Sequence, residues 1–500
     1  MAVLVPTEEP RAWSAEEVTV TESGIIKKAI AAAAIGNVTE WYDFGVYAYF
    51  ATTIETVFFS GLPESQRQIA TFGTFAVAFL IRPFGGMFFG PLADRIGRTK
   101  VLAITMIMMA LGTFAIGLIP SQNSIGFAAP LLLLACRLVQ GFSTGGEYGN
   151  AMTFIAEYAP DRRRGFLGSW LEFGTFTGYL MGAIMVTVVS ALTTEDQLES
   201  WAWRIPFFLA LPLGLVGIYL RSRLADTPAF RAMEEESEER EKENRAAQEA
   251  GELARLWPFV LVCSGLVIVW NVTNYMLTAY MPTYLTETLP KTDRQSDTVS
   301  QVLQIVVLVV AMLSIPYIGL LSDRIGRKPI AWTGAIGLIV LGVPMILLIR
   351  QGSFISQLVG LLIMGLLLIL FSSTMPSTLP SLFPTKVRGA GLSIAFNVSI
   401  SIFAGTTATV VAALVKATGD LNWPGYYLVA AGVIGAVAVW FLLEPNGMKM
   451  WGSPPAAVDD EEAVEMAEAS TAEFAAVQAE TADDADTDEK WRLEEPPSQP

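Results

Sequence analysis

Gly90-Pro-Leu-Ala-Asp94-Arg95-Ile-Gly97-Arg98-Thr-Lys100 occurs a second time, little changed, as Gly319-Leu-Leu-Ser-Asp323-Arg324-Ile-Gly326-Arg327-Lys328. Each copy joins two long apolar segments, and the copies lie 229 residues apart. A second pair, Pro160-Asp-Arg-Arg-Arg164-Gly165 and Pro384-Thr-Lys-Val-Arg388-Gly389, repeats at an offset of 224. Two independent motifs recurring at nearly one distance imply a duplicated chain. With apolar segments on either side, they imply a membrane core made of two similar halves.

Composition agrees. Of 500 residues, 52% are apolar and only 16% are charged, far less charge than a soluble domain carries. Apolar stretches of the ~20 residues needed to cross a bilayer occur at 29–55, 69–92, 101–120, 127–157, 165–191, 203–221, 257–285, 299–321, 330–349, 354–374, 389–414 and 425–443. The expected fold is therefore all-α, with twelve transmembrane helices in two six-helix pseudo-symmetric halves. The expected division is a cytoplasmic N-terminal segment 1–28, a six-helix bundle 29–221, an acidic cytoplasmic linker 222–256, a second bundle 257–443 and an acidic tail 444–500.

Lys and Arg crowd the loops of one side: Lys27, Lys28, Arg95, Arg98, Lys100, Arg162, Arg163, Arg164, Arg324, Arg327 and Lys328. The other side holds few, among them Arg67, Lys291 and Arg350. By the positive-inside rule both termini are expected in the cytoplasm. The net charge of −16 is concentrated in residues 451–500, where fifteen acids face only Lys490 and Arg492. This Ala-rich, acidic stretch reads as a disordered tail. The two cysteines, Cys136 and Cys263, fall inside apolar segments and imply no disulfide framework. Histidine is absent, which removes His-based proton relays, His metal sites and Ser-His or Cys-His catalysis. No enzyme, metal centre, resident cofactor or nucleic-acid interface is expected.

Charged side chains inside a bilayer cost about 2.5–3.5 kcal/mol each on insertion scales, so they mark a pathway or a buried pair. Glu40 and Asp43 in the first helix are three residues apart and share a face. Glu40 is expected near the midplane, and two carboxylates this close in low dielectric make a candidate proton site. Glu147 in the fourth helix is a third proton-coupling candidate. The same helix carries Arg137 and Gln140 among small residues that let a neighbour approach closely. The planar fork of Arg137 matches a substrate carboxylate; the alternative is a salt bridge to a carboxylate of the first helix. Arg82 and Glu172 are expected to form structural interhelical pairs.

Trp41, Tyr42, Phe44 and Tyr47 open the first half, and Trp270, Asn271, Asn274, Tyr275 and Tyr280 occupy the corresponding positions of the second. Trp41, Tyr42 and Tyr47 with Asn271, Asn274 and Tyr275 are substrate-binding candidates, because aromatic faces attract quaternary ammonium groups. The repeated loops are expected to gate. Gly90 and Gly319 permit close helix contact, and Asp94 and Asp323 can cap neighbouring helix ends. Arg95, Arg98, Arg324 and Arg327 supply cytoplasmic positive charge, with Gly97 and Gly326 at the turns.

The duplicated Asp-Arg-Ile-Gly-Arg loops resemble those of the major facilitator superfamily. Gly36-Asn37 through Phe44, Arg82-Pro83-Phe84-Gly85-Gly86, Gly141-Phe142-Ser143 through Tyr148, Ala156-Glu157-Tyr158 and Trp203-Arg204-Ile205-Pro206-Phe207 together resemble its metabolite:proton symporter family. Asn271-Val-Thr-Asn274-Tyr275-Met276-Leu277 and Gly117-Leu-Ile-Pro120-Ser121 are similar to the osmoregulatory proline/glycine betaine branch. The resemblance implies proton-coupled import of a small zwitterion such as proline, glycine betaine or ectoine into a bacterial cell, activated by high osmolality. Substrate, coupling protons and membrane lipid are then the partners. The alternative substrate is a dicarboxylate or other organic acid, which would require a second cavity cation, for which Arg82 is the candidate. Residues 457–490 depart from members whose tail is a heptad coiled coil: they lack a Leu/Ile stripe, which removes the basis for tail dimerisation.

Overall fold

The computed structural model describes residues 11–20, 23–96, 98–145, 147–222, 255–385 and 387–475. Among the described residues, nine helices are long and apolar enough to cross a membrane. The third and sixth spans hold shorter apolar stretches, Ile104–Leu118 and Arg204–Val216. The first, Ser23–Tyr49, carries Glu40 and Asp43, which lower its hydropathy. The chain is a multi-pass, twelve-helix membrane protein.

The spans follow the sequence order. In the first half they are Ser23–Tyr49, Glu64–Leu80 continued by Arg82–Ile96, Arg98–Leu118, Ala128–Thr144 continued by Glu147–Tyr158, Arg164–Leu192 and Arg204–Ser222. In the second they are Trp257–Tyr275, Asp297–Ile325, Arg327–Ile349, Phe354–Ser372, Arg388–Ser399 continued by Thr407–Thr418 and Trp423–Phe441. The expected linker lies outside the described residues except at its ends.

Three irregularities position the interior. The second and fourth spans are each interrupted, at Ile81 and near Gly145, and these interruptions face one another. A Cβ on Gly141 would collide with the Ala78 carbonyl, and one on Gly145 with the Arg82 carbonyl. The two backbones therefore touch at a crossing that only glycine admits, as small-residue helix interfaces in membranes allow. The third irregularity is in the second half, where the seventh and eleventh spans contain π-turns at Met276–Tyr280, Tyr284–Thr288 and Ile400–Ala404. Such turns shift the register of the side chains that follow and concentrate at functional sites.

The halves close on one another at the face carrying the repeated loops. Asp323, at the end of the eighth span, accepts hydrogen bonds from the N–H groups of Gly165 (2.7 Å) and Phe166 (2.8 Å) in the first turn of the fifth. It caps a helix of the opposite half. Gly319 lies so near the fifth span that a Cβ there would meet Ser169 Oγ at 2.6 Å. Arg327 donates to the Ser377 carbonyl (3.2 Å) and lies 3.8 Å from Asp323. Glu444 accepts from the N–H groups of Arg327 and Lys328, at 2.9 Å each. Gly326 turns the chain at φ 97° beneath it. Arg324 is exposed. In the first copy, Gly97 and the side chains of Asp94, Arg95 and Arg98, with the surroundings of Gly90, lie outside the described residues.

The tail departs from expectation as far as residue 475. Thr19 and Val20 pair in parallel with Ala456 and Ala457, and residues 460–475 are helical. Val18, Ala457 and Ala463 make a small apolar cluster with Met466 against it. Two of the acidic residues that argued for disorder, Glu462 and Glu465, find a partner on a basic loop. Arg162 reaches Glu465 at 2.9 Å and Glu462 at 3.9 Å, and Asp161 accepts from the Ala456 N–H at 3.2 Å. Arg162 also holds the exposed Glu465 carboxyl below the usual range, chiefly through their hydrogen bond. Residues 476–500 lie outside the described residues.

Candidate functional site

The first span supplies two carboxylates, and the crossing of the second and fourth spans supplies two arginines to meet them. Glu40 Oε1 accepts from Arg82 Nη2 at 3.2 Å, and Asp43 Oδ2 lies 3.7 Å from Arg137 Nη1. The sequence suggested a mutually interacting carboxylate pair. The structure instead gives each carboxylate its own counter-ion, so the repulsion that would bind a shared proton is offset. Glu40, Asp43, Arg82 and Arg137 are all buried.

Gln140 ties the deeper pair together. Its amide donates to Asp43 Oδ2 (2.9 Å) and Thr113 Oγ1 (2.8 Å), while its carbonyl oxygen accepts from Arg137 Nη1 (2.9 Å). Arg137 also lies over the Tyr47 ring, 4.0 Å from its centroid. Arg82 stands among Phe79, Phe44 and Trp41, at 4.7, 5.0 and 6.0 Å from the ring centroids. Among the described residues, each arginine keeps two polar nitrogens without a hydrogen-bond partner: Nε and Nη1 of Arg82, and Nε and Nη2 of Arg137. Buried guanidinium N–H groups are costly unless something accepts from them, so these four are ready to meet an added acceptor.

Aromatic rings from both halves pack beside Arg82. Tyr275 of the seventh span packs on Phe79 (5.0 Å between centroids) and faces Trp41 (6.3 Å). Trp41 also packs on Tyr179 and Tyr148, and Tyr148 stacks on Phe396 of the eleventh span at 4.9 Å. The hydroxyl of Tyr275 and Oδ1 of Asn274 have no hydrogen-bond partner among the described residues, while Asn274 Nδ2 donates to the Tyr179 hydroxyl at 3.4 Å across the halves.

Of the substrate candidates, the structure brings Trp41, Asn274 and Tyr275 to this cluster, with Arg137, Gln140 and Tyr47 one layer deeper. Tyr42 points elsewhere and donates to the Pro206 carbonyl of the sixth span at 2.9 Å, because its position on the helix turns it into its own half. Asn271 satisfies its amide on the Val267 carbonyl of its own helix at 3.2 Å. Glu147 is buried at the start of the second segment of the fourth span.

Glu172 was expected to pair with a cation. Among the described residues it does not: its partners are the hydroxyls of Tyr148 and, at 3.0 Å, Thr175. Tyr179, Phe79 and Thr113 escape the sequence reading altogether, and Tyr148 enters it only as part of a family motif, with no role at the site. The signal available for Tyr148 was its position next to Glu147; Phe79 and Thr113 stand in apolar runs that nothing in the pattern distinguishes.

The sugar (and other) transporter family matches this chain over residues 29–448. The glycine betaine/proline/ectoine/pipecolic acid transporter OusA of Dickeya dadantii is 46% identical over 456 residues, 90% of each chain. The proline/betaine transporter of Escherichia coli K12 is 44% identical over 457 residues, again 90% of each. Among solved structures, the proton:xylose symporter XylE bound to 6-bromo-6-deoxy-D-glucose aligns with a TM-score of 0.69 at 20% identity, covering 86% of this chain and 98% of that one. That likeness fixes the fold. By its duplicated spans, its repeated loops and relatives matched over 90% of each chain, this chain belongs to the sugar (and other) transporter family of the major facilitator superfamily.

Proposed function

We propose that this protein imports a small zwitterion of the proline and betaine class together with protons, across a bacterial cytoplasmic membrane, with both termini in the cytoplasm. The observation that carries the substrate class is the charge balance of the site. Arg82 and Arg137 are matched by Glu40 and Asp43, and Glu147 of the fourth span and Glu172 of the fifth are buried as well. A site with no surplus of positive charge suits a solute with none of its own, and would leave a dicarboxylate with an uncompensated charge in low dielectric.

Arg82 is the better placed of the two arginines to take the substrate carboxylate. It stands in the aromatic cluster that both halves build, with two N–H groups unpartnered. Arg137 is committed to Asp43, Gln140 and the Tyr47 face. The substrate ammonium then meets the ring faces of Trp41 and Tyr275, where cation–π attraction supplies about 0.5–2 kcal/mol. The two relatives named for proline and betaine support the same class.

A competition assay tests this. Radiolabelled proline uptake into cells lacking other carriers should be displaced by glycine betaine and left unchanged by 2-oxoglutarate. Displacement by 2-oxoglutarate alone would overturn the zwitterion reading in favour of the organic acid.

A further inference from the structure

We propose that Glu172 is the group that carries the transported proton. The proposal rests on the reading of the protein as a proton symporter and names the residue that the reading leaves open. Glu40 and Asp43 are each paired with an arginine, so a proton arriving on either must first displace a counter-ion. Glu172 stands apart from them: it is 2% exposed, and no Lys or Arg among the described residues lies within salt-bridge distance of it.

Its environment is built for a proton that comes and goes. Tyr148 donates to its Oε1, and so does Thr175 at 3.0 Å. Thr175 Oγ1 in turn accepts from Asn37 Nδ2 at 2.5 Å, and Asn37 Oδ1 accepts from Trp41 Nε1 at 3.0 Å. A continuous chain of hydrogen bonds thus runs from the aromatic wall of the substrate cluster to this carboxylate. The ionisable groups facing it from the packed spans are Tyr148 of the fourth, Tyr275 of the seventh and Tyr179 on its own helix, with Glu40 of the first beyond Tyr148 and Tyr275, and Arg82 of the second beyond Tyr179 and Tyr275. The eighth span meets the fifth near this level through Met312, to which Thr177 donates at 3.4 Å.

The step is a simple transfer. An O–H bond forms on a Glu172 carboxylate oxygen with a proton from water on the outer side, and the same bond breaks when the proton passes to water on the cytoplasmic side. Neutralising Glu172 weakens its hold on Tyr148, whose ring stacks on Phe396 and lies 6.2 Å from Trp270. Those two residues belong to the other half. The proton state is thereby read at the surface on which the halves rock.

Glu172→Gln keeps the shape and an acceptor while removing the titrating group. In proteoliposomes with an imposed inward proton gradient, its accumulation of labelled proline should fall at least about tenfold, with exchange of internal for external proline falling far less. Full gradient-driven accumulation by E172Q, beside a proton-driven wild type, would overturn the assignment. A wild type indifferent to the proton gradient would overturn the symport reading instead. Should E172Q fail to reach the membrane, the unaltered protein decides. A hydrophobic carbodiimide, which reacts with protonated buried carboxyl groups, should modify Glu172, less so as pH rises. Modification of Glu40 or Asp43 without Glu172 would contradict the proposal.

Discussion

Arg82 and Arg137 are placed by glycine as much as by charge. The carbonyls of Ala78 and Arg82 lie where side chains of Gly141 and Gly145 would begin, and this contact brings both guanidiniums to the level of the carboxylates on the first span. Gly141→Val should therefore lower the yield of folded protein in the membrane, because a backbone collision has no flexible side chain to absorb it. Size-exclusion chromatography of a fluorescent fusion would measure this, and a normal monodisperse yield would contradict the crossing described here. Arg82→Lys keeps the charge at Glu40 but loses the planar fork, so apparent affinity for proline should weaken about tenfold at unchanged protein level. Arg137→Lys should act chiefly on folding or turnover, through Asp43 and Gln140, with a smaller effect on affinity. Uptake kinetics of the two variants side by side distinguish these roles.

At the scale of elements, the second loop motif works as a clasp between halves, since Asp323 closes the first turn of a helix belonging to the other bundle. An N-terminal cap of this kind contributes about 1 kcal/mol. Asp323→Asn removes the charge and one acceptor, and should shift the protein toward the state in which this face opens. The reading is the labelling rate of a cysteine at Ser169, which packs on Gly319, in a background lacking Cys136 and Cys263; an increase of about fivefold corresponds to that energy. The tail adds a second, softer tie. Its backbone accepts from Arg164 at Met448 (3.0 Å) and from Arg388 at Trp451 (2.7 Å), one arginine from each half, while Glu465 meets Arg162 on the surface. Exposed pairs are screened by salt, so the outer tie loosens as ionic strength rises. Because the folded Glu465 carboxyl sits below its usual range, its contribution is present above that range and is lost as pH falls through the lowered value. A truncation ending at Met450 should insert and transport, with less added salt needed to reach full activity. An unchanged salt dependence would remove the tail from regulation.

The whole molecule was legible in outline because its strongest signals are periodic and repeated. Length of apolar run fixes a span, and two duplicated loops fix two halves. Ionisable residues in those runs, Glu40, Asp43, Arg82, Arg137 and Glu172, were conspicuous for the same reason. Their pairing was legible in part: an interhelical pair for Arg82 and a first-helix carboxylate for Arg137 were both readings of the sequence, but which carboxylate each would meet was not. Glu40 meets Arg82 and Asp43 meets Arg137 because two helix backbones cross at glycines distant in sequence from the first span, a relation that no local pattern encodes. Glu172 shows the converse: that no cation among the described residues pairs with it is a property of the packed bundle, and the charge alone pointed to a pair. As far as residue 475 the tail is more ordered than its acidity implies, because Arg162, contributed from elsewhere in the chain, meets Glu462 and Glu465. Coupled uptake of a zwitterion is the central claim, and purified protein in proteoliposomes tests it most directly. With an inward proton gradient and no sodium, labelled proline should accumulate above its external concentration and collapse when a protonophore is added. Accumulation that ignores the protonophore and requires an inward sodium gradient would contradict it.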